Sequence, residues 1–339
     1  MFGVIRVEKI LLMQFNSIRS VIWSLPLLQT LREFYPTAEL KYLTASRYQS
    51  LVEANRYSDE VIPVDKARFQ RLKEEQGLKA AVGSLRPAVS RLREDKFDYL
   101  LDLQNDGASN FLAYLAKARK RITVGKGWRS LFYSKRLEKN DAGHRGENYW
   151  EVLHPLGIDP SNHRQEFGLA RAKPCRDFID RLLAKHSIQP QTTLVVISPG
   201  TGGKNCWPVE KYARLSSWIA EELDGRAVIA GDYLPDKQVE RLVTSVQGRI
   251  VNLTKELDWD ELAEFLRQAD AVVGGNNPYL HLAQAVETPA LALFGTEDPG
   301  EVGPYGGHSM AVKTPDGELE NVSLEAVQNN LTTVLKWSG

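Results

Sequence analysis

Residues 271–295 run Ala-Val-Val-Gly-Gly-Asn-Asn-Pro-Tyr-Leu-His-Leu-Ala-Gln-Ala-Val-Glu-Thr-Pro-Ala-Leu-Ala-Leu-Phe-Gly, and they leave a folding chain little choice. An apolar run reaches two glycines and then a polar corner. A short apolar helix is predicted over 278–286. Pro289 introduces a second buried strand, 290–294, which closes on Gly295. This is a strand–helix–strand unit, and its loop lies at the carboxyl end of the first strand, where open parallel sheets bind ligands. Asn277 is a good N-cap and Pro278 a good first helical residue. The helix N-terminus therefore aims N–H groups at the loop, a place suited to phosphate. His281 falls on the first turn of that helix, beside whatever the loop holds.

The same alternation runs through the chain. Strands are expected over 9–14, 40–43, 60–64 and 99–103, with a long amphipathic helix over 21–34 and another around 110–118. A change of character at 167–177 is followed by a helix over 178–186 and strands at 193–198, 226–231, 249–252, 271–273 and 290–294. The segment 323–337 reads as a helix capped by Ser323. Strands alternating with helices at this spacing argue for α/β folding in doubly wound parallel sheets.

Composition narrows the function. The chain has 339 residues, enough for two domains with full cores. Lysine plus arginine number 43 and aspartate plus glutamate 43, so no global field argues for nucleic acid or an anionic membrane surface. No apolar run approaches the roughly 20 residues of a membrane span, and the N-terminus carries no signal-peptide pattern. Cys175 and Cys206 form neither a metal pattern nor a disulfide framework. A cytoplasmic protein is the expectation.

A second loop resembles the first in chemistry. Residues 197–212 read Ile-Ser-Pro-Gly-Thr-Gly-Gly-Lys-Asn-Cys-Trp-Pro-Val-Glu-Lys-Tyr, a strand ending in a glycine-rich turn before a helix. Glycines let backbone N–H groups approach a phosphate, and Lys204 offers a compact positive charge. Thr201, Gly202 and Lys204 are the candidates here. The spacing is not that of a P-loop.

Taken in order along the chain, these pieces resemble the ADP-heptose:lipopolysaccharide heptosyltransferases, glycosyltransferase family 9. Residues 10–26, with Leu25-Pro26 and later Arg32 and Pro36, resemble the family's opening strand, loop and helix. Residues 98–104 resemble its Asp-x-x-x-Asp-Leu-Gln strand, and 199–208 its Pro-Gly…Lys…Trp-Pro loop. Residues 274–285 resemble the Gly-x-Asp-Ser-Gly-x-x-His-Leu-Ala-x-Ala signature, and 293–304 the Leu-Phe-Gly…Gly-Pro ending. The resemblance implies a GT-B fold: an acceptor-side Rossmann-like domain over 1–170, a nucleotide-sugar domain over 175–322, and a helix over 323–339 crossing back to the first domain. It implies inverting, metal-independent transfer with no cofactor, from a nucleotide-diphosphate sugar such as ADP-heptose to a lipopolysaccharide-core or other glycan acceptor. Any membrane association would be peripheral, at the inner membrane. An aspartate in the first loop would be the general base, and Thr201, Gly202, Lys204, Asn276, Asn277, Pro278 and His281 would face the donor.

The chain departs from this pattern at the chemistry. Where the family's first loop ends Gly-Asp-Val, residues 19–21 are Arg19-Ser20-Val21. A serine hydroxyl has no useful basicity near neutral pH. Arg19 adds a cation, which suits an anionic ligand; the alternative is that Arg19 and Ser20 only cap the helix. The Asp-Ser-Gly of the signature is Asn276-Asn277-Pro278, which removes one charge and one backbone N–H. Asp102 and Asp106, at the end of a first-domain strand, could replace the missing base or could serve the framework. Asp258-Trp-Asp260 spells a metal-site motif of another fold, but its position at a helix start favours an N-cap. A protein that binds a nucleotide sugar without transferring it is the rival reading.

Overall fold

The computed structural model describes residues 7–125, 132–139, 143–162, 166–200, 206–231, 235–246, 248–304 and 308–337. The chain forms two compact units, Met1–Ala170 and Arg171–Gly339.

In the first unit the strands are β1 (Lys9–Met13), β2 (Glu39–Ala45), β3 (Glu60–Val64), β4 (Phe97–Asp102), β5 (Ala118–Val124) and β6 (Lys135–Leu137). All pair in parallel, in the order β3-β2-β1-β4-β5-β6. Helices α1 (Ile18–Phe34), α2 (Gln49–Glu53), α3 (Lys66–Gln76), α4 (Leu78–Ser84), α5 (Arg86–Glu94) and α6 (Gly107–Leu115) lie between them in sequence. Central β1 is buried from Ile10 to Met13, as a strand covered on both faces must be. A lysine is taken inside: Lys41 on β2 bonds Asp95 and Glu60 at 2.5 Å each and Glu39 at 3.1 Å. Burial pushes its ammonium down, yet the three carboxylates outweigh that and hold it above its ordinary value.

The second unit repeats the plan. Its elements are α7 (Lys173–Lys185), β7 (Leu194–Ser198), α8 (Val209–Glu222), β8 (Arg226–Ala230), α9 (Asp236–Ser245), β9 (Ile250–Leu253) and α10 (Trp259–Arg267). Then come β10 (Ala271–Gly275), α11 (Pro278–Ala285), β11 (Ala290–Phe294), α12 (Pro299–Val302), β12 (Ser309–Lys313) and α13 (Leu324–Leu335). The sheet is parallel, ordered β12-β11-β10-β7-β8-β9. In each unit the first strand sits centrally, and strand order reverses beside it, between β1 and β4 and between β7 and β10. Those are the two switch points, where a doubly wound sheet opens a crevice for a ligand.

Three strands escape the sequence pattern. β5, β6 and β12 open on exposed or half-exposed residues (Ala-Arg-Lys-Arg, Lys-Arg and Ser-Met), so no long apolar run announces them. The helix expected over 110–118 starts earlier and ends at Leu115, because Asp106 caps it and Ala118 already belongs to β5.

The C-terminal helix α13 packs on the core of the second unit. Val327, Leu331 and Val334 are buried in that unit's core with Leu291, Leu293 and Trp207. The anchor is upstream. Trp207 Nε1 donates to the Val322 carbonyl at 2.9 Å and Lys211 Nζ at 2.8 Å, and Ser323 then caps the helix through the Ala326 N–H. Asp258 is the N-cap of α10 in a capping box with Glu261, as its position suggested.

Candidate functional site

At the first switch point, β1 runs through Gln14–Asn16 into α1. Ser17 is the N-cap: its hydroxyl accepts from the Ser20 N–H at 3.2 Å and meets the Ser20 hydroxyl at 2.9 Å. Ser20 also shares a hydrogen bond with the Tyr149 hydroxyl, which accepts a long 3.4 Å bond from Gln14 Nε2. Burial raises the Tyr149 phenol, so it stays protonated. No acid stands in the first turn of α1. Arg19 is half-buried, its guanidinium carbon 5.9 Å from the Trp23 ring centroid, and the edge of His144 meets the same indole. Lys66, at the start of α3, reaches the loop as well, donating to Asn16 Oδ1 at 2.9 Å. The loop therefore presents hydroxyls and two cations.

Asp102 and Asp106 serve the framework. Asp102 is fully buried; its Oδ1 accepts the Gln104 and Asn105 N–H groups at 2.9 and 3.2 Å, and its Oδ2 accepts the Tyr133 hydroxyl. Burial raises its carboxyl above the ordinary range, against the pull of those donors. Asp106 caps α6, with Oδ1 accepting the Ala108 and Ser109 N–H groups at 2.9 Å and Oδ2 the Gln104 amide. Gln104 in turn accepts the Phe15 N–H at 3.1 Å, tying the β4 loop to the β1 loop across the switch point. Sequence reasoning gave Gln104 no role, although it closes the Asp-x-x-x-Asp-Leu-Gln motif.

At the second switch point Asn277 is a clamp. It is buried; its Nδ2 donates to the Ser198 and Gly275 carbonyls at 2.8 Å, and its Oδ1 accepts the Tyr279 N–H at 2.9 Å and the Ser198 hydroxyl at 3.1 Å. All four bonds of the side-chain amide stay within the protein, joining the ends of β7 and β10 and capping α11. The strands approach so closely that a Cβ on Gly274 would lie 1.9 Å from the Ser198 carbonyl oxygen, which no side chain survives. The expected fan of N–H donors at α11 is thereby narrowed: Pro278 has none, and that of Tyr279 is capped. His281 is buried within α11 rather than displayed on its surface. Beneath the end of β8, Tyr279 fills the space where a Gly231 side chain would stand.

Asn276 is half-buried and donates through Nδ2 to Glu297 Oε2 at 2.7 Å. The charge absent from position 276 thus reappears one side chain away, on the loop after β11. Glu297, Lys66 and Tyr149 were not singled out in the sequence, because each reaches its place from a distant segment. Thr201, Gly202 and Lys204 lie outside the described residues, between the end of β7 and Cys206.

Two doubly wound parallel sheets, each with a polar loop at its switch point, are an architecture that many ligand-binding proteins share, and comparison with known proteins narrows it. Lipopolysaccharide heptosyltransferase 1 of Salmonella typhimurium is 22% identical over 332 residues, covering 94% of this chain and 98% of that protein. Its Escherichia coli K12 counterpart is 21% identical over 96% of this chain and 100% of the relative. The structure of a family 9 glycosyl transferase from Veillonella parvula superposes with a TM-score of 0.86 at 20% identity, over 97% of each chain. That of the Escherichia coli heptosyltransferase WaaC with ADP gives 0.81 at 20% identity, over 96% of this chain and 99% of that one. Likeness of this extent gives the chain a GT-B fold. Residues 86–331 match the model of glycosyltransferase family 9 (heptosyltransferase), and the chain belongs to that family. It is a glycosyltransferase by membership. Among the described residues, no helix is long and apolar enough to cross a membrane.

Proposed function

We propose that the protein transfers a heptose or related sugar from a nucleotide-diphosphate donor, of the ADP-heptose kind, to a lipopolysaccharide-core acceptor, with inversion and without a metal. The observation that carries this reading is that the family's loops fall at both switch points of the two sheets. The second unit holds the donor: Asn277 sets the ends of β7 and β10 and the start of α11, and Lys204 meets the diphosphate. The first unit takes the acceptor, whose anionic groups suit Arg19 and Lys66. A family member bound to ADP-2-deoxy-2-fluoro heptose, Escherichia coli WaaC, supports the donor class.

A second reading has its own observation. With Ser20 in the base position and no acid in the first turn of α1, the protein can hold a nucleotide sugar and transfer it slowly or not at all. Calorimetry with ADP and other nucleotides, followed by a transfer assay with the nucleotide sugar that binds best, separates the two. Lys204→Ala weakens ADP binding about tenfold or more, a charge-assisted contact being worth some 1.5–3 kcal/mol. Unchanged affinity removes Lys204 from the site, and absence of any nucleotide binding ends both readings.

A further inference from the structure

The first unit exposes an aromatic face that the transfer site does not use. α6 has the sequence Gly-Ala-Ser-Asn-Phe-Leu-Ala-Tyr-Leu, with no charged residue. Ser109, Asn110, Leu112 and Ala113 turn inward and are buried. Phe111 and Tyr114, one turn apart, point outward at 38% and 60% exposure. Phe132, 49% exposed, brings its ring centroid to 5.2 Å from that of Tyr114. A helix facing water ordinarily carries charge on its outer side; this one offers rings.

Basic side chains line the segments next to this helix. Arg121 Nε and Nη2 donate to the Ala113 and Ala116 carbonyls at 2.8 and 2.7 Å, lashing β5 to the end of α6. Arg119, two residues before it, shares its face of the strand, and Arg136 joins that face because it pairs with Thr123. Lys117 is exposed just beyond the helix. From Gly107 to Lys139 the sequence contains a single acid, Glu138, although charges balance over the whole chain.

We propose that this face of α6, β5 and β6 docks the protein on an anionic lipid bilayer, with Phe111, Tyr114 and Phe132 at the headgroup–acyl boundary and Lys117, Arg119 and Arg136 among the phosphates. Charge complementarity selects the occupant: neither a neutral protein surface nor a neutral membrane accounts for the basic rim, and a purely electrostatic partner leaves the rings unused. Aromatic rings sit favourably at the interface, and single weak anchors need a basic patch beside them. The inference rests on the transfer reading only in giving the docked protein an amphiphilic acceptor to work on.

The test is co-sedimentation of the full chain with vesicles of phosphatidylcholine alone or with about one-third phosphatidylglycerol, with neither donor nor acceptor present. The protein binds the anionic vesicles, binds the neutral ones about tenfold less or not at all, and is released by salt. Phe111→Ser with Tyr114→Ser lowers binding about tenfold or more, and Arg119→Gln with Arg136→Gln about fivefold per residue. Phe34→Ser, which removes an exposed ring elsewhere on the same unit, leaves binding unchanged. Thermal melts confirm that each variant is folded, and the arginine pair keeps the test alive if the ring pair is not. Failure to bind anionic vesicles, equal binding to both kinds, or folded variants that bind like the parent overturns the proposal. So does binding of an RNA oligonucleotide without vesicles, which assigns the basic rim to nucleic acid. A protein that binds vesicles but transfers no sugar defeats the transfer reading alone.

Discussion

The two switch points share a topology and employ their polar side chains in opposite ways. At the second, a buried asparagine makes four internal bonds and fixes two strand ends and a helix start. A carboxylate, Glu297, stands outside it. At the first, the carboxylates are drawn into the framework, as Asp102 is fully buried and Asp106 caps α6. The loop after β1 keeps the hydroxyls of Ser17, Ser20 and Tyr149 with Arg19 and Lys66 nearby. The second switch point is braced by internal bonds, while the loop of the first presents hydroxyls and cations and has no acid in the first turn of its helix. That contrast teaches that one topology can brace its switch point with a buried amide in one unit and leave polar side chains at the loop in the other.

The largest expected effect breaks the contrast directly. General-base catalysis contributes about 10²–10⁴-fold. Arg19→Gly with Ser20→Asp is therefore expected to raise the transfer rate by about that factor, and Asn276→Asp to add to it. Single-turnover rates with a fixed nucleotide sugar check this. A parent protein already turning over at about 1 per second or faster shows that the first loop needs no carboxylate at position 20.

Next in size is the clamp. Asn277→Ala leaves the buried Ser198 and Gly275 carbonyls without their donor and uncaps α11. The cost is about 3 kcal/mol of stability, with weaker ADP binding. Asn277→Ser restores the family's residue, retains a cap and one donor, and costs about 1 kcal/mol. Denaturant melts and ADP titrations of both variants measure it. If Asn277→Ala leaves stability and ADP affinity unchanged, the second switch point is no more organised than the first.

What the sequence disclosed follows from where the signals are local. The strands 60–64 and 290–294 were legible to the residue because each is an apolar run bounded by turns. The caps at Asn277, Asp258 and Ser323 were legible because capping is decided within four residues. β5 and β6 were hidden by their lysines and arginines, which sit at the outer side of the sheet, away from its buried centre. Docking of α13 was hidden because it turns on Trp207 and Lys211 gripping Val322 across more than a hundred residues. The sequence leaves Asp102 open between base and framework for a related reason. An acid ending an apolar strand can face either way, and its burial and the bond from Tyr133, in a loop beyond β5, are set by distant residues.

The smallest expected effect is that of Asp102→Asn, and it separates framework from catalysis. Asp102→Ala strands two backbone N–H groups and costs about 2–4 kcal/mol. Asp102→Asn keeps an oxygen for the Gln104 and Asn105 N–H groups and an amide to meet the Tyr133 oxygen, whose proton can pass to Asn110 Oδ1, 2.8 Å away. It changes stability by about 1 kcal/mol or less near neutral pH. The pH dependence has a definite sign. Burial raises the Asp102 carboxyl in the folded protein, so the folded state holds its proton more tightly than the unfolded chain. Whatever this residue contributes is fully present below the unfolded value near about 4 and declines as pH rises through the folded value. Asp102→Asn does not titrate, so its stability relative to the parent improves with rising pH across that window and levels off above it. A framework residue shows this shift in the melts with little change in transfer. Were Asp102 the general base, Asp102→Asn would instead cut transfer by about 10²–10⁴-fold in a protein that melts almost as the parent does, and the first switch point would hold a working carboxylate after all.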